Sequence, residues 1–335
     1  MKKTFLIIIT CLLVNSLSAQ SVKTLASGTK ISFRGLSVVD DKTVWVSGSS
    51  GTVGLSVDSG NTWKWIKVPN YEKTEFRDIE AFDEKTAIIM GIDTPAYILK
   101  TSDGGDSWRT VFKDHTTGMF LDAMEFWNDR SGIVIGDPMG GRFFIARTFD
   151  GGNSWRGIPE NNRPIADSGE ACFASSGTNI RKLNQEEAVF ISGGTSSHLF
   201  IRDKKINIPI VQGTETTGAN SIAVKDSKTM MIVGGDFKTK DSTFKNCIIT
   251  NDAGNTWTQP IIAPHGYRSC IEWLNKTNWI SCGLNGVDYT TDDGKTFSWI
   301  SKDSYHVCRK AKKGNAVYFA GAGGRIGRLI LSKDQ

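Results

Sequence analysis

Two sets of side chains in this sequence have the types and spacing to do chemistry. The first is a series of aspartates, Asp58, Asp103, Asp150, Asp252 and Asp292. Each has a Ser or Thr two residues before it, a Gly two after, a Ser or Thr four after and an aromatic five after. The aromatics are Trp63, Trp108, Trp155, Trp257 and Phe297. Repeated carboxylates raise calcium binding as one reading. A calcium loop, however, carries several carboxylates at ligand spacing and closes on an acidic residue. These motifs do neither, so no metal is expected. In the second reading the Asp hydrogen-bonds the turn that follows it, and the Gly supplies the turn's backbone angle. The five Asp and five aromatics are then scaffold.

The second set is basic. Aligned on the Asp motif, Arg34, Arg77, Leu121, Ala171, Asn220, Arg268 and His306 hold one place in successive repeats. Three Arg and one His at equivalent positions would form a concentrated positive ring. The planar guanidinium fork suits carboxylate and phosphate. An unpaired buried Arg is costly, so these side chains require acidic partners or a ligand. Asp93, Asp137, Arg142, His198, Asp236 and Arg325 fall in adjacent turns, with Asp122 and Glu170 beside the ring. Two readings stay open. Arg34, Arg77 and Arg268 pair with Asp78, Asp122 or Glu170 and rigidify a channel, or the ring binds an anion or a protein partner. Arg34, Arg77, Arg268, His306, Asn220, Arg142, Asp137 and Glu170 are the candidate binding residues.

The elements that position them follow from the repeat. Gaps between successive aspartates are 45, 47, 102 and 40 residues, so the gap of 102 spans two repeats. A degenerate copy is expected at its middle, with Asp203 at the turn. A hydrophobic strand ending in small residues precedes each motif, as at Val44–Gly48, Ala87–Gly91, Gly132–Gly136, Ala188–Gly193, Met230–Gly234, Trp279–Gly283 and Ala316–Gly321. That makes seven repeats, each of four short strands, which is the pattern of propeller blades. The expected fold is all-β: a seven-bladed β-propeller with four-stranded antiparallel blades, occupying residues 20–335 as one domain. The seventh repeat lacks a fourth strand, and residues 22–26 are expected to supply it, closing the ring and hiding its edges. In such a blade the Asp turns lie on the face opposite the start of the first strand. A ligand or partner is therefore expected on the face opposite the Asp motifs. The long connection 157–187 is either a functional loop or an inert insertion.

Residues 1–19 read as a signal peptide: Lys2 and Lys3, an apolar run from Phe5 to Val14, and small residues up to Ala19. The run is too short for a membrane anchor, and lipidation at Cys11 is disfavoured by Thr10 before it. Export to the periplasm or beyond is expected. Removal of Lys2 and Lys3 leaves 38 basic against 35 acidic residues, or +3, with no basic run suited to nucleic acid. The remaining cysteines are Cys172, Cys247, Cys270, Cys282 and Cys308. They read as core residues, with one disulfide possible. No zinc spacing, P-loop, GxGxxG before a helix, Gly-x-Ser-x-Gly or HExxH occurs, so no cofactor is expected.

The repeated S/T-x-D-x-G-x-S/T-W motifs resemble the Asp-box (BNR) repeats of sialidase-like propellers. Ser32-Phe-Arg-Gly-Leu-Ser-Val, followed by Val44-Trp-Val-Ser-Gly, is more similar to the photosystem II stability/assembly factor-like propellers. That resemblance covers about residues 22–331. It implies a non-enzymatic monomer that recognises a protein partner, or an anionic glycan or carboxylate, through an Arg-rich patch. The alternative is a sialidase-like glycosidase, which places three Arg on a substrate carboxylate beside a Tyr/Glu pair. Here Tyr267 and Tyr305 lie on the expected face, but neither has a Glu partner in the sequence pattern.

Overall fold

The computed structural model describes residues 20–92 and 94–331. The expected signal peptide and Asp93 lie outside the described residues. Seven antiparallel sheets form the blades of a propeller. Their innermost strands are Phe33–Val38, Phe76–Ala81, Leu121–Phe126, Ile180–Lys182, Thr217–Val224, Cys270–Asn275 and Val307–Lys310, for blades 1 to 7. Each neighbours the inner strand of the next blade and lines the central channel. The second strands are the apolar, small-ended runs seen in the sequence, such as Val44–Gly48 and Ala87–Gly91, and they are buried throughout. Burial on both faces explains why they read as continuous apolar runs rather than alternating ones.

Ring closure follows the sequence expectation. Ser21–Ala26 pairs antiparallel with Ile326–Ile330 and becomes the outer strand of blade 7. Val22 and Leu25 pack on the core shared by blades 1, 6 and 7. The degenerate repeat is blade 4, where Asp motif and Gly are replaced by a tight hairpin. His198–Ile201 turns through Arg202 (φ 56°) and Asp203 into Lys204–Asn207. In blade 5 the outer place is held by an Ile249–Thr258 bridge.

One register expectation fails. Ala171 does not begin the inner strand of blade 4, which is Ile180–Lys182. Glu170–Ala171 instead pairs with Gly193–Gly194 at the edge of blade 5. The chain between them, residues 173–179, turns into the channel.

The Asp motifs close their own turns. The Asp58 carboxylate accepts from Ser56 Oγ (2.9 Å), the Thr62 amide (2.8 Å) and Thr62 Oγ1 (2.6 Å). Asp103 repeats the pattern with Thr101 and Ser107, whose hydrogen bonds hold its carboxyl down at about 2. Each turn also docks on the hairpin between the first and second strands of its blade, as in Gly104 N–H to Lys85 O and Gly151 N–H to Arg130 O. Glycine is required at Gly152, where φ is +74° and a Cβ would lie 2.2 Å from Ile88 Cδ1 of blade 2. The motif thus sets blade spacing as well as turn shape. Cys172, Cys247, Cys270, Cys282 and Cys308 are all free and buried, so the possible disulfide is not formed. No helix among the described residues is long and apolar enough to cross a membrane.

Candidate functional site

The central channel is divided into two compartments by the chain itself. Residues 173–179, part of the long connection, cross it, bond to blades 1, 5, 6 and 7 and press against blade 2. Arg34 of blade 1 donates to Ser175 O (3.2 Å), and Ser175 Oγ donates to Asn220 Oδ1 of blade 5 (3.1 Å). Ser176 Oγ donates to Ser269 O at blade 6 (2.7 Å), and Arg309 of blade 7 donates to Gly177 O (3.0 Å). Gly177, at φ +62°, lies so close to Asp78 of blade 2 that a Cβ would sit 2.4 Å from its Cγ. Ser176, Thr178 and Asn179 are fully buried. Small hydroxyl residues suit this place because each brings its own donor and acceptor to a buried polar backbone. The long connection is therefore a plug in the axis.

Above the plug, on the face where inner strands begin, Arg34, Arg77 and His306 come together. Glu75 serves both guanidinium groups, 2.9 Å from Arg77 Nη2 and 4.0 Å from Arg34 Nε. The Nε atoms of Arg34 and Arg77 are buried without a hydrogen-bond partner. His306 Nε2 lies 3.3 Å from Ser32 Oγ. Burial, with Arg34 and Arg77 nearby, pushes the imidazole down to about 3, so it is neutral. Asp122 is fully buried beside this mouth. Burial, with Asp137 next in effect, raises it well above the ordinary carboxylate range.

The other candidates lie elsewhere. Arg268 is not in the ring. Its five N–H donors are all taken within blade 6, by Asp288, Asn285 and the carbonyls of Tyr267 and His265. Neither its side chain nor that of Asp288 is exposed. Arg34 and Arg77 pair with Glu75, and Arg268 with Asp288, rather than with Asp78, Asp122 or Glu170. Asn220 is buried and accepts from Tyr267 OH (2.7 Å) as well as Ser175. Arg142 donates to Arg163 O (2.7 Å), and Asp137 accepts the Cys172 amide (3.0 Å). Burial lifts Asp137 to about 6. Glu170 belongs to a separate cluster with His198 and Lys205. Two Arg and one His of the expected ring therefore converge, and the third Arg does not. A three-Arg carboxylate clamp is not assembled, and Tyr267 is bonded to an amide rather than a glutamate.

Below the plug lies a cavity of about 730 Å³ on the face carrying the Asp turns. Ser37, Glu80, Glu125, Arg181, Ala223, Glu272 and Arg309 line it, one from each blade at the same register position. Arg181 joins Glu125 (3.7 Å) and Glu272 (2.9 Å), while Lys312 reaches Glu80 (2.6 Å). Burial raises Glu272 to about 7 against the opposing pull of Arg181. This ring was missed in the sequence, although it lies on the same inner strands, three residues after Arg34 and Arg77 in blades 1 and 2.

Several solved propellers share this fold. YCF48 bound to a D1 peptide superposes with a TM-score of 0.65 at 14% identity, covering 93% of this chain and 97% of that one. YCF48 from Cyanidioschyzon merolae gives 0.64 at 15% identity, covering 92% and 98%. The WD40 propeller domain of Doa1 gives 0.63 at 16% identity, covering 94% and 98%. No family model and no curated protein matches the chain. At these identities the likeness establishes a seven-bladed propeller of the kind found in YCF48 and WD40 domains.

Proposed function

We propose that this chain is an exported, non-enzymatic propeller that binds a protein partner through an acidic or carboxylate-bearing segment at the mouth formed by Arg34, Arg77 and His306. One observation carries this reading: two guanidinium groups share a single carboxylate, Glu75, and each keeps a buried Nε that makes no hydrogen bond. An incoming carboxylate would satisfy donors that the fold leaves unmatched. The mouth is also suited to peptide, since Arg34 already holds the Ser175 carbonyl of the chain's own plug. A YCF48 propeller has been captured with a D1 peptide, which supports the same mode here. Arg268 has no part in it, because its donors are consumed inside blade 6.

The test is a quantitative pull-down from the native envelope fraction with mature wild-type protein, Arg34→Ala/Arg77→Ala and Arg268→Lys. The reading requires partners that are lost with the double variant alone. Recovery of the same partners by wild type and double variant overturns it. Turnover of a fluorogenic sialoside that vanishes in Arg34→Ala would favour the glycosidase instead.

A further inference from the structure

Asp167, Glu170 and His198 offer one ligand atom each, all within 4.8 Å of one another. None of them belongs to the Arg mouth. The three come from two parts of the chain. Asp167 and Glu170 precede the plug, and His198 begins the third strand of blade 4. The Glu170 side chain is fully buried and that of His198 is 11% exposed, whereas Asp167 is 51% exposed and opens the cluster to solvent.

The position between the carboxylates already holds a cation. Lys205, on the outer strand of blade 4, places its ammonium 2.7 Å from Asp167 Oδ1 and 2.9 Å from Glu170 Oε2. His198 Nδ1 is 2.9 Å from Glu170 Oε1, and its Nε2 is 3.7 Å from Asp167 Oδ2. A surrounding shell fixes the donors. Ser192 Oγ donates to Glu170, the Asp167 amide donates to Glu170 Oε2 (2.7 Å), and the His198 amide donates to Ser192 Oγ (3.0 Å). Such support is what aligns carboxylate and imidazole ligands around a metal.

We propose that Asp167, Glu170 and His198 form a site for a divalent first-row transition ion such as Zn²⁺, with Lys205 closing the site in its absence. One imidazole nitrogen and two carboxylates suit zinc-like ions, whereas calcium and magnesium prefer oxygen alone. A doubly charged ion replaces the ammonium between two carboxylates, and the four-carbon stem of Lys205 lets its head swing to solvent. The exposed side of Asp167 is the entry path.

The roles of the four residues predict opposite effects on affinity. Zn²⁺ is titrated calorimetrically into untagged, metal-stripped mature protein. The same titration is run on Lys205→Met, His198→Gln and Asp167→Asn. Wild type is expected to take one ion. Lys205→Met, which removes the competing cation but keeps the apolar stem, is expected to bind at least tenfold tighter. His198→Gln and Asp167→Asn are expected to bind at least tenfold weaker. Co²⁺ absorption of the Lys205→Met protein provides a second readout that needs no wild-type occupancy, and circular dichroism of each apo variant verifies the fold. The proposal is overturned if neither wild type nor Lys205→Met binds, if binding survives His198→Gln, or if Lys205→Met leaves the affinity unchanged.

Discussion

Arg181 bridges Glu125 of blade 3 and Glu272 of blade 6, with Nη1 3.7 Å from the first and Nη2 2.9 Å from the second. It reaches past blade 5, which has only Ala223 at the equivalent register position. Replacing Arg181 with Met leaves buried carboxylates without their cation, at a cost of about 3 kcal/mol at pH 8. The cost depends on pH. Glu272 has a folded pKa of about 7, above its ordinary value, so the folded form holds more protons between roughly pH 4.5 and 7. Its contribution to stability therefore rises as pH falls through 7. At pH 5 the carboxyl is already protonated, and the Arg181→Met penalty shrinks. Urea unfolding of both proteins at pH 5 and pH 8 measures this. An equal penalty at both values would rule out the ionic role.

The plug makes a second prediction. Gly177→Ala introduces a Cβ at φ +62° and 2.4 Å from Asp78 Cγ, which is itself fixed by the amides of Ile79 and Met124. The backbone strain alone is about 1 kcal/mol, and the clash brings the expected loss to about 3 kcal/mol. Gly141→Ala is the control, because φ is +79° there but nothing lies within 4 Å of the added Cβ. It should cost only the backbone strain. Similar melting temperatures for the two variants would show that residues 173–179 do not seal the axis.

The propeller was legible because its signals are local and repeated. Asp58 and its four counterparts each bond within five residues, so sequence spacing alone reports the geometry. Ring closure by Ser21–Ala26 was legible from a missing strand at one end and a spare one at the other. The site was legible only in part. Arg34 and Arg77 converge as aligned, but Arg268 differs because Asp288 and Asn285 of its own blade capture the guanidinium. Those partners lie about 20 residues away, and no periodicity points to them. The plug was hidden for the same reason. Nothing in Ser175-Ser176-Gly177-Thr178 separates a surface loop from a segment buried by contacts to residues from Arg34 to Arg309. The shift of Ala171 out of the blade 4 inner strand follows directly from that detour.

His306 carries the third prediction, because it reports on the Arg mouth. Its imidazole is held at about 3 by burial first and then by Arg34 and Arg77. The unfolded chain takes up this proton near pH 6.5, so between pH 6.5 and 3 the unfolded state binds more protons. Stability therefore falls with falling pH over that window, by up to about 1.4 kcal/mol per pH unit from this residue. His306→Gln removes the slope, so the stability of wild type relative to the variant, measured by urea unfolding at pH 7, 6 and 5, should fall on acidification. An imidazole that titrates near 6.5 by NMR would refute the assignment. A bound carboxylate between Arg34 and Arg77 offsets the positive charge that depresses His306. Its pKa should therefore rise on partner binding, and it should rise also in Arg34→Ala/Arg77→Ala without any partner. The same NMR titration thus distinguishes a ligand seated at the mouth, which moves the His306 resonance, from one held elsewhere on the ring, which leaves it where it is.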